Sequence, residues 1–175
     1  MKPFKVTKPS EIEGNPFKLI GSDWMLVTAE HDHKVNTMTA SWGGLGVMWN
    51  MNVAYIVLRP SRYTKVFVDA ADTFSLSFLD SSFRKKLNYL GTVSGRDEPK
   101  IEKSGLTVVH AGTDKHTTPY FEEARLVLIC RKLYHQVYDP AGFIDPAIAN
   151  NYPIKDYHSF YIGEITQVLS AAQER

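Results

Sequence analysis

The feature that most constrains this chain is the spacing of its extended runs. "DWMLVTAEH" is followed by a short turn, "DHK", and then by "VNTMTASW". Further along come "VAYIVLR", "TFSLSFL", "LTVVHA", "ARLVLICRKLYHQVYD" and "DYHSFYIGEITQVLS", each rich in β-branched and aromatic residues. The longest runs are separated by hairpin turns or short insertions. A parallel pair needs a crossover of a dozen or more residues, usually a helix. The spacing therefore excludes a regular βαβ series. It predicts a mainly β chain of about six or seven strands, closed into an antiparallel barrel with two or three short helices on its side. An open α+β sandwich is the alternative.

The intervening segments are more local. "GGLGVMWNMN" reads as a glycine-rich loop. Pro60 stops the "VAYIVLR" strand because it cannot donate to a ladder, and Ser61 is placed to cap the helix that follows. In that helix Tyr63, Val66, Phe67, Ala70 and Ala71 recur at helical spacing. "SFRKKLNYLG" reads as a short helix with Gly91 at its end, and "EPKIEKSG" as a helical turn ended by a second glycine. "DPAIANNY" is a short helix or irregular. Residues 1–17 hold three prolines and little periodicity, so they are expected to form an arm on a single domain spanning 1–175.

Composition excludes several functions. At 43% hydrophobic and 22% charged the chain is an ordinary globular one. Its net charge of +1 provides no broad basic field, so nucleic acid is not an expected partner. No apolar run reaches the length of a membrane span, and the first residues lack the apolar core of a signal peptide. A cytoplasmic location with no membrane partner is expected. Cys130, the single cysteine, sits in "LVLICRKL" and reads as a small buried hydrophobe, with Arg131 on the opposite face.

Two stretches carry the chemistry. In "LRPSRYTK", Arg59 ends a strand, and Ser61, Arg62, Tyr63, Thr64 and Lys65 surround the start of a helix. Free backbone N–H groups and the positive dipole end bind anions there, and guanidinium groups add charge-assisted bonds to phosphate. Cations in a first turn oppose the helix dipole, so they suggest an external anion; a solvated basic surface patch with a cap is the alternative. Neither a "GxxxxGK[ST]" loop nor a dinucleotide "GxGxxG" is present. In "NTMTASWGG", Thr37, Thr39 and Ser41 alternate with Met38, Ala40 and Trp42. Small residues and several donors form a slot for a flat conjugated ring; the plainer alternative is a strand whose polar face meets water.

"NTMTASWGGLG…VAYIVLRPSRYTKVFVDAADTFSLSFL", followed by "LGTVSGRDEPK", resembles the flavin reductase-like family of FMN-binding split barrels, which includes flavoredoxin-type proteins. The resemblance runs from about Asn15 to Val168. It implies a Greek-key split β-barrel, a homodimer, and FMN near the subunit interface. It also implies that Thr37, Thr39, Ala40, Ser41 and Trp42 wrap the ring and ribityl chain, and that Arg59, Ser61, Arg62, Tyr63 and Thr64 hold the phosphate. The implied reaction is electron transfer between NAD(P)H and flavin, or electron carriage on bound FMN. A flavin- or tetrapyrrole-binding carrier or sensor without turnover is the alternative. His158, in the terminal strand, is the candidate catalytic residue on the nicotinamide side, and Arg96 in "SGRDEPK" a candidate cofactor contact. His31 and His33, with a third ligand from His110, His116, His135 or His158, make a weak metal pattern, so no metal site is assigned.

Overall fold

The computed structural model describes residues 3–113 and 116–171. In chain order its elements are β1 (Phe4–Thr7), β2 (Met25–His31), β3 (Lys34–Ala40), β4 (Gly43–Met48), β5 (Met51–Leu58) and α1 (Tyr63–Ala70). Then follow β6 (Thr73–Phe78), α2 (Arg84–Thr92), α3 (Lys100–Ser104), β7 (Val108–Thr113), β8 (His116–Phe121), β9 (Leu126–Val137) and β10 (Ser159–Ala171). The main sheet is antiparallel with strand order β3-β2-β6-β9-β10-β5-β4, and β1 adds to β10.

This order closes the sheet by itself. β3 and β4 lie at opposite ends of the path, yet only Ser41 and Trp42 separate them in sequence. Three Cα steps reach at most about 11 Å. The sheet must therefore roll until its two ends nearly meet. No ladder joins β3 to β4 among the described residues, so the barrel is split at that seam. Gly43 and Gly44 let β4 lie close against Tyr55 of β5. A Cβ on Gly43 (φ 152°) would stand 2.4 Å from the Tyr55 carbonyl oxygen, and one on Gly44 2.2 Å from the Tyr55 ring.

The rolled sheet is covered on both faces. Met25, Val27, Met38, Phe74, Leu76, Phe78, Leu128 and Cys130 fill the inner core. The alternate residues Leu26, Val127 and Ile129 pack outward against Leu87 and Leu90 of α2 and Phe121 of β8. The second layer explains why several strands are apolar on both faces. Cys130 is buried, as its sequence context requires, and burial pushes its thiol pKa up.

The expected mainly β split barrel with short helices is present, with four local differences. The "GGLGVMWNMN" loop is β4 and the start of β5. Trp49 (φ 52°) and Asn50 (φ 59°) make the two-residue turn between them, a turn whose usual Asn-Gly signature is missing here. β8 escapes a pattern reading because Pro119 interrupts it, although its ladder with β7 is intact. Helix α2 runs through Gly91 and ends at Thr92. Arg62, not Ser61, is the N-cap of α1, and no side chain caps it.

Candidate functional site

The end of β3, the loop after β5, the C-terminal turn of α2 and the start of β10 converge on one face. Thr39 opens it. Its hydroxyl donates to the Leu87 carbonyl at 2.5 Å, and its Cβ would be 3.1 Å from a side chain on Gly91. This contact seats β3 on α2. Beyond Ala40 the chain leaves the ladder, and Ser41 and Trp42 are carried across the seam, with Trp42 48% exposed.

The start of α1 stands beside them. The amides of Tyr63 and Thr64 have no residue four back within the helix to accept from them. No acidic residue lies in the first turn. Arg62 donates from Nη1 to the Gly91 carbonyl at 2.8 Å. Arg96 reaches back from the loop after α2, donating to the Ser61 carbonyl at 3.1 Å, with its guanidinium 4.6 Å from the Tyr63 ring centre. Among the described residues neither Arg62 nor Arg96 has a carboxylate partner. Two guanidinium groups thus converge on a short loop with an exposed Ser61 hydroxyl and unspent amides.

Below this loop a third cation is locked inside. Lys100 is buried, and its ammonium donates to the carbonyls of Leu90 and Val93, each at 2.9 Å. Burial, reinforced by nearby Arg62, lowers its pKa to about 8. Arg62 and Lys100 together satisfy three carbonyls at the C-terminal end of α2, which would otherwise lack partners.

The opposite border is aromatic. His158 is 7% exposed, its Nδ1 is 2.9 Å from the Tyr152 hydroxyl, and its ring lies 5.2 Å from that of Trp42. Burial first, then the positive charges of Arg59 and Arg62, hold its pKa down to about 4, against the pull of Asp156. The imidazole is therefore neutral at physiological pH.

The side chains of three sequence candidates are turned away from this face. Thr37 is fully buried, its hydroxyl 2.9 Å from that of Thr28 and donating to the Val27 carbonyl at 3.0 Å. Thr64 is 1% exposed and accepts from the Asn36 amide at 3.2 Å. Arg59 is turned away. It pairs with Asp156 at 2.6 Å, donates to the Asn151 carbonyl at 2.8 Å, and lies 5.2 Å from the Tyr152 ring centre. Lys65 is likewise committed, to Asp69 at 2.6 Å. Sequence reasoning did not single out Asn151 and Asp156 as Arg59's partners, nor Lys100. A buried lysine is visible only once "DEPK" is known to form a helix start under α2.

The histidines do not assemble. His31 is 3.3 Å from Asp32 and His110 is 2.7 Å from Glu30, while His135 stacks on Tyr161 at 4.7 Å. The side chain of His116 lies outside the described residues. Among the described residues no three His, Cys, Asp or Glu side chains are grouped to hold a metal ion, and no helix is long and apolar enough to cross a membrane.

Comparison with known proteins places the chain in a family. A family model described as a flavin reductase like domain matches residues 17–175. Flavoredoxin from Methanosarcina acetivorans is 26% identical, with a TM-score of 0.66 over 95% of this chain and 77% of that one. An FMN-binding domain of a flavin reductases-like enzyme from Shewanella baltica OS155 shares the fold, with a TM-score of 0.70 over 97% of this chain and 78% of that one at 17% identity. An uncharacterized protein of Aeropyrum pernix is 34% identical over 86 residues, 49% of this chain. The match spans only 32% of that relative's length. With the matched family model covering nearly the whole chain, the protein belongs to the flavin reductase-like family.

Proposed function

We propose that this protein binds FMN across the face between β3 and α1 and passes electrons between NAD(P)H and the flavin, acting as a homodimer. The carrying observation is the donor set at the start of α1. Two guanidinium groups without carboxylate partners, an exposed hydroxyl and unspent helix amides converge within one loop. That set suits a dianionic phosphate monoester, because charge-assisted N–H bonds to phosphate are the strongest this chain can supply.

Arg62, Arg96, Ser61 and the amides of Tyr63 and Thr64 hold the phosphate. Thr39, Ala40, Ser41 and Trp42 line the ring and ribityl chain. The small side chains of Thr39, Ala40 and Ser41 let the backbone come close, and the hydroxyl of Thr39 fixes the strand on α2. His158, neutral and oriented by Tyr152, borders the ring side without adding charge. When bound, FMN would supply the two-electron chemistry of exchange with a nicotinamide. The protein's part is to orient the ring, place cations at the phosphate and leave one ring face to the donor.

The test is a titration with FMN followed by visible absorption and flavin fluorescence. Saturation near one FMN per chain supports the site, and a protein that ignores FMN overturns it. Steady-state oxidation of NADH and NADPH with bound FMN then decides between a reductase and an electron carrier. Stoichiometric FMN without turnover favours the carrier.

A further inference from the structure

We propose that a second cavity, between the turn at Lys18–Asp23 and the start of α2, seats the phosphate-bearing half of the nicotinamide dinucleotide donor. This rests on the reading above. The cavity measures about 620 Å³ and is lined by Lys18, Ser22, Asp23, Leu79, Asp80, Ser81, Arg84, Leu87 and Arg125. That volume is in the range of small-molecule sites.

Its charges are unequally spent. Asp23 takes both Lys18 and Arg125, each at 2.9 Å, and Asp80 stands 3.8 Å from Arg125. Arg84 has no carboxylate partner among the described residues. Its guanidinium lies 3.2 Å from the Trp24 ring centre, and Nη1 donates to the carbonyls of Ser22 at 2.7 Å and Asp23 at 3.4 Å. A guanidinium held flat on an aromatic face by two carbonyls is a preorganised anion receptor, because its remaining donors are aimed before any ligand arrives. Trp24 pays for that placement: φ 70° and ψ 163° is a region hostile to any side chain. A π-helical turn at Lys18–Asp23 precedes it and presents the two carbonyls to Arg84. Strained backbone and π turns concentrate at functional sites.

The position ties the cavity to the ring face. Met25 pairs with Ala40, so the chain enters β2 from the cavity wall beside the point where β3 gives way to Ser41 and Trp42. Leu87 lines the cavity while its carbonyl holds Thr39. Arg84 and Gly91, seven positions apart on α2, are separated by about 10 Å of helix rise. An arginine with no carboxylate partner among the described residues thus stands at each end of α2, Arg62 reaching the Gly91 end from the start of α1 for the flavin phosphate and Arg84 at the other end for the donor. Leu79 and Leu87 supply the apolar floor between them.

The probe is ADP, whose diphosphate and adenosine represent that half of the donor without requiring flavin. Isothermal titration of the protein with ADP is expected to show saturable binding. Arg84→Ala is expected to weaken it about tenfold or more, to leave FMN affinity unchanged, and to raise the KM for NAD(P)H by a similar factor with kcat within about twofold. Ser81→Glu adds a negative charge to the cavity without touching the Arg84–Trp24 stack, and it is expected to reject ADP even if Arg84→Ala fails to fold. No ADP binding by the wild type, or ADP affinity unchanged in Ser81→Glu, overturns the cavity. ADP binding with FMN that NADH and NADPH never reduce overturns the donor assignment and, separately, the reductase reading.

Discussion

Arg59 and Arg62 lie three positions apart in one loop and end in different worlds. Arg59 is bound by residues far along the chain, Asn151, Tyr152 and Asp156, which arrive on the long connection between β9 and β10. Arg62 faces the end of α2 and, among the described residues, has only the Gly91 carbonyl. The motif "RPSR" reads alike at both ends, and both arginines suit phosphate by type. What separates them is whether a distant carboxylate reaches them. The lesson is that a cluster of cations identifies an anion site only after the partners brought by the fold have been subtracted.

The sharpest way to break the comparison is to remove each arginine in turn. Arg62→Ala is expected to cost FMN affinity about ten- to a hundredfold, the loss of one charge-assisted contact. FMN fluorescence quenching measures it. The melting temperature should move by only about 2 °C, because the lost Gly91 contact is a single hydrogen bond. Arg59→Ala should do the reverse. It leaves Asp156 without its cation, and one oxygen of that carboxylate is already buried without a partner. A fall in melting temperature of roughly 5 °C or more is expected, with FMN affinity within about threefold. Equal losses of FMN affinity in both variants would mean that Arg59 leaves Asp156 to serve the phosphate.

A pH titration sharpens the same contrast through His158, which senses both arginines. The unfolded imidazole takes a proton near pH 6.5, while the folded one resists until about pH 4. Its contribution to stability is complete above about pH 6.5 and is lost as the pH falls through about 4, because the unfolded state binds the proton first. Melting temperatures at pH 7 and pH 5 should therefore differ less in His158→Gln than in the wild type. An unchanged pH dependence would show that His158 is not held neutral.

How much of this was legible in the sequence follows from the same logic. The antiparallel barrel was readable because it depends on local pattern: hairpin spacing, the proline stop at Pro60, alternation in "TFSLSFL"; that it is a split barrel came from the family resemblance. The donor cluster at the start of α1 was readable because its amides and cations are neighbours in sequence. The hydroxyl alternation was readable as a pattern but not in its meaning. Thr37 is sealed beneath the second layer, as are Ser75 and Ser77 of β6, whose hydroxyls meet the Pro119 carbonyl at 2.6 Å and the Phe121 amide at 3.4 Å. Small hydroxyls satisfied by backbone groups can be buried at little cost. A sequence therefore gives no sign whether a Thr-rich face meets water, a ligand or another layer; only Thr39 and Ser41, at the open end of β3, remain near the site. Arg59's partners were illegible for a different reason, since they sit more than ninety residues away.

Lys65 completes the series, three positions beyond Arg62, and carries the smallest expected effect. In sequence it belongs to the same basic cluster as the two arginines. In the fold its ammonium is 2.6 Å from Asp69, one helical turn on, and Asp69 also accepts from the Tyr161 hydroxyl at 2.6 Å. A pair of this kind on a helix surface is worth about 0.2–1 kcal/mol. Tyr161 continues to satisfy the carboxylate if Lys65 is lost. Lys65→Gln should therefore shift the melting temperature by less than about 2 °C and leave FMN affinity within about twofold. A tenfold loss of FMN affinity in Lys65→Gln would mean that the ammonium exchanges Asp69 for the phosphate. The subtraction that excludes Arg59 would then fail for Lys65, and the basic run would have to be read as a single phosphate site rather than one free arginine between two committed cations.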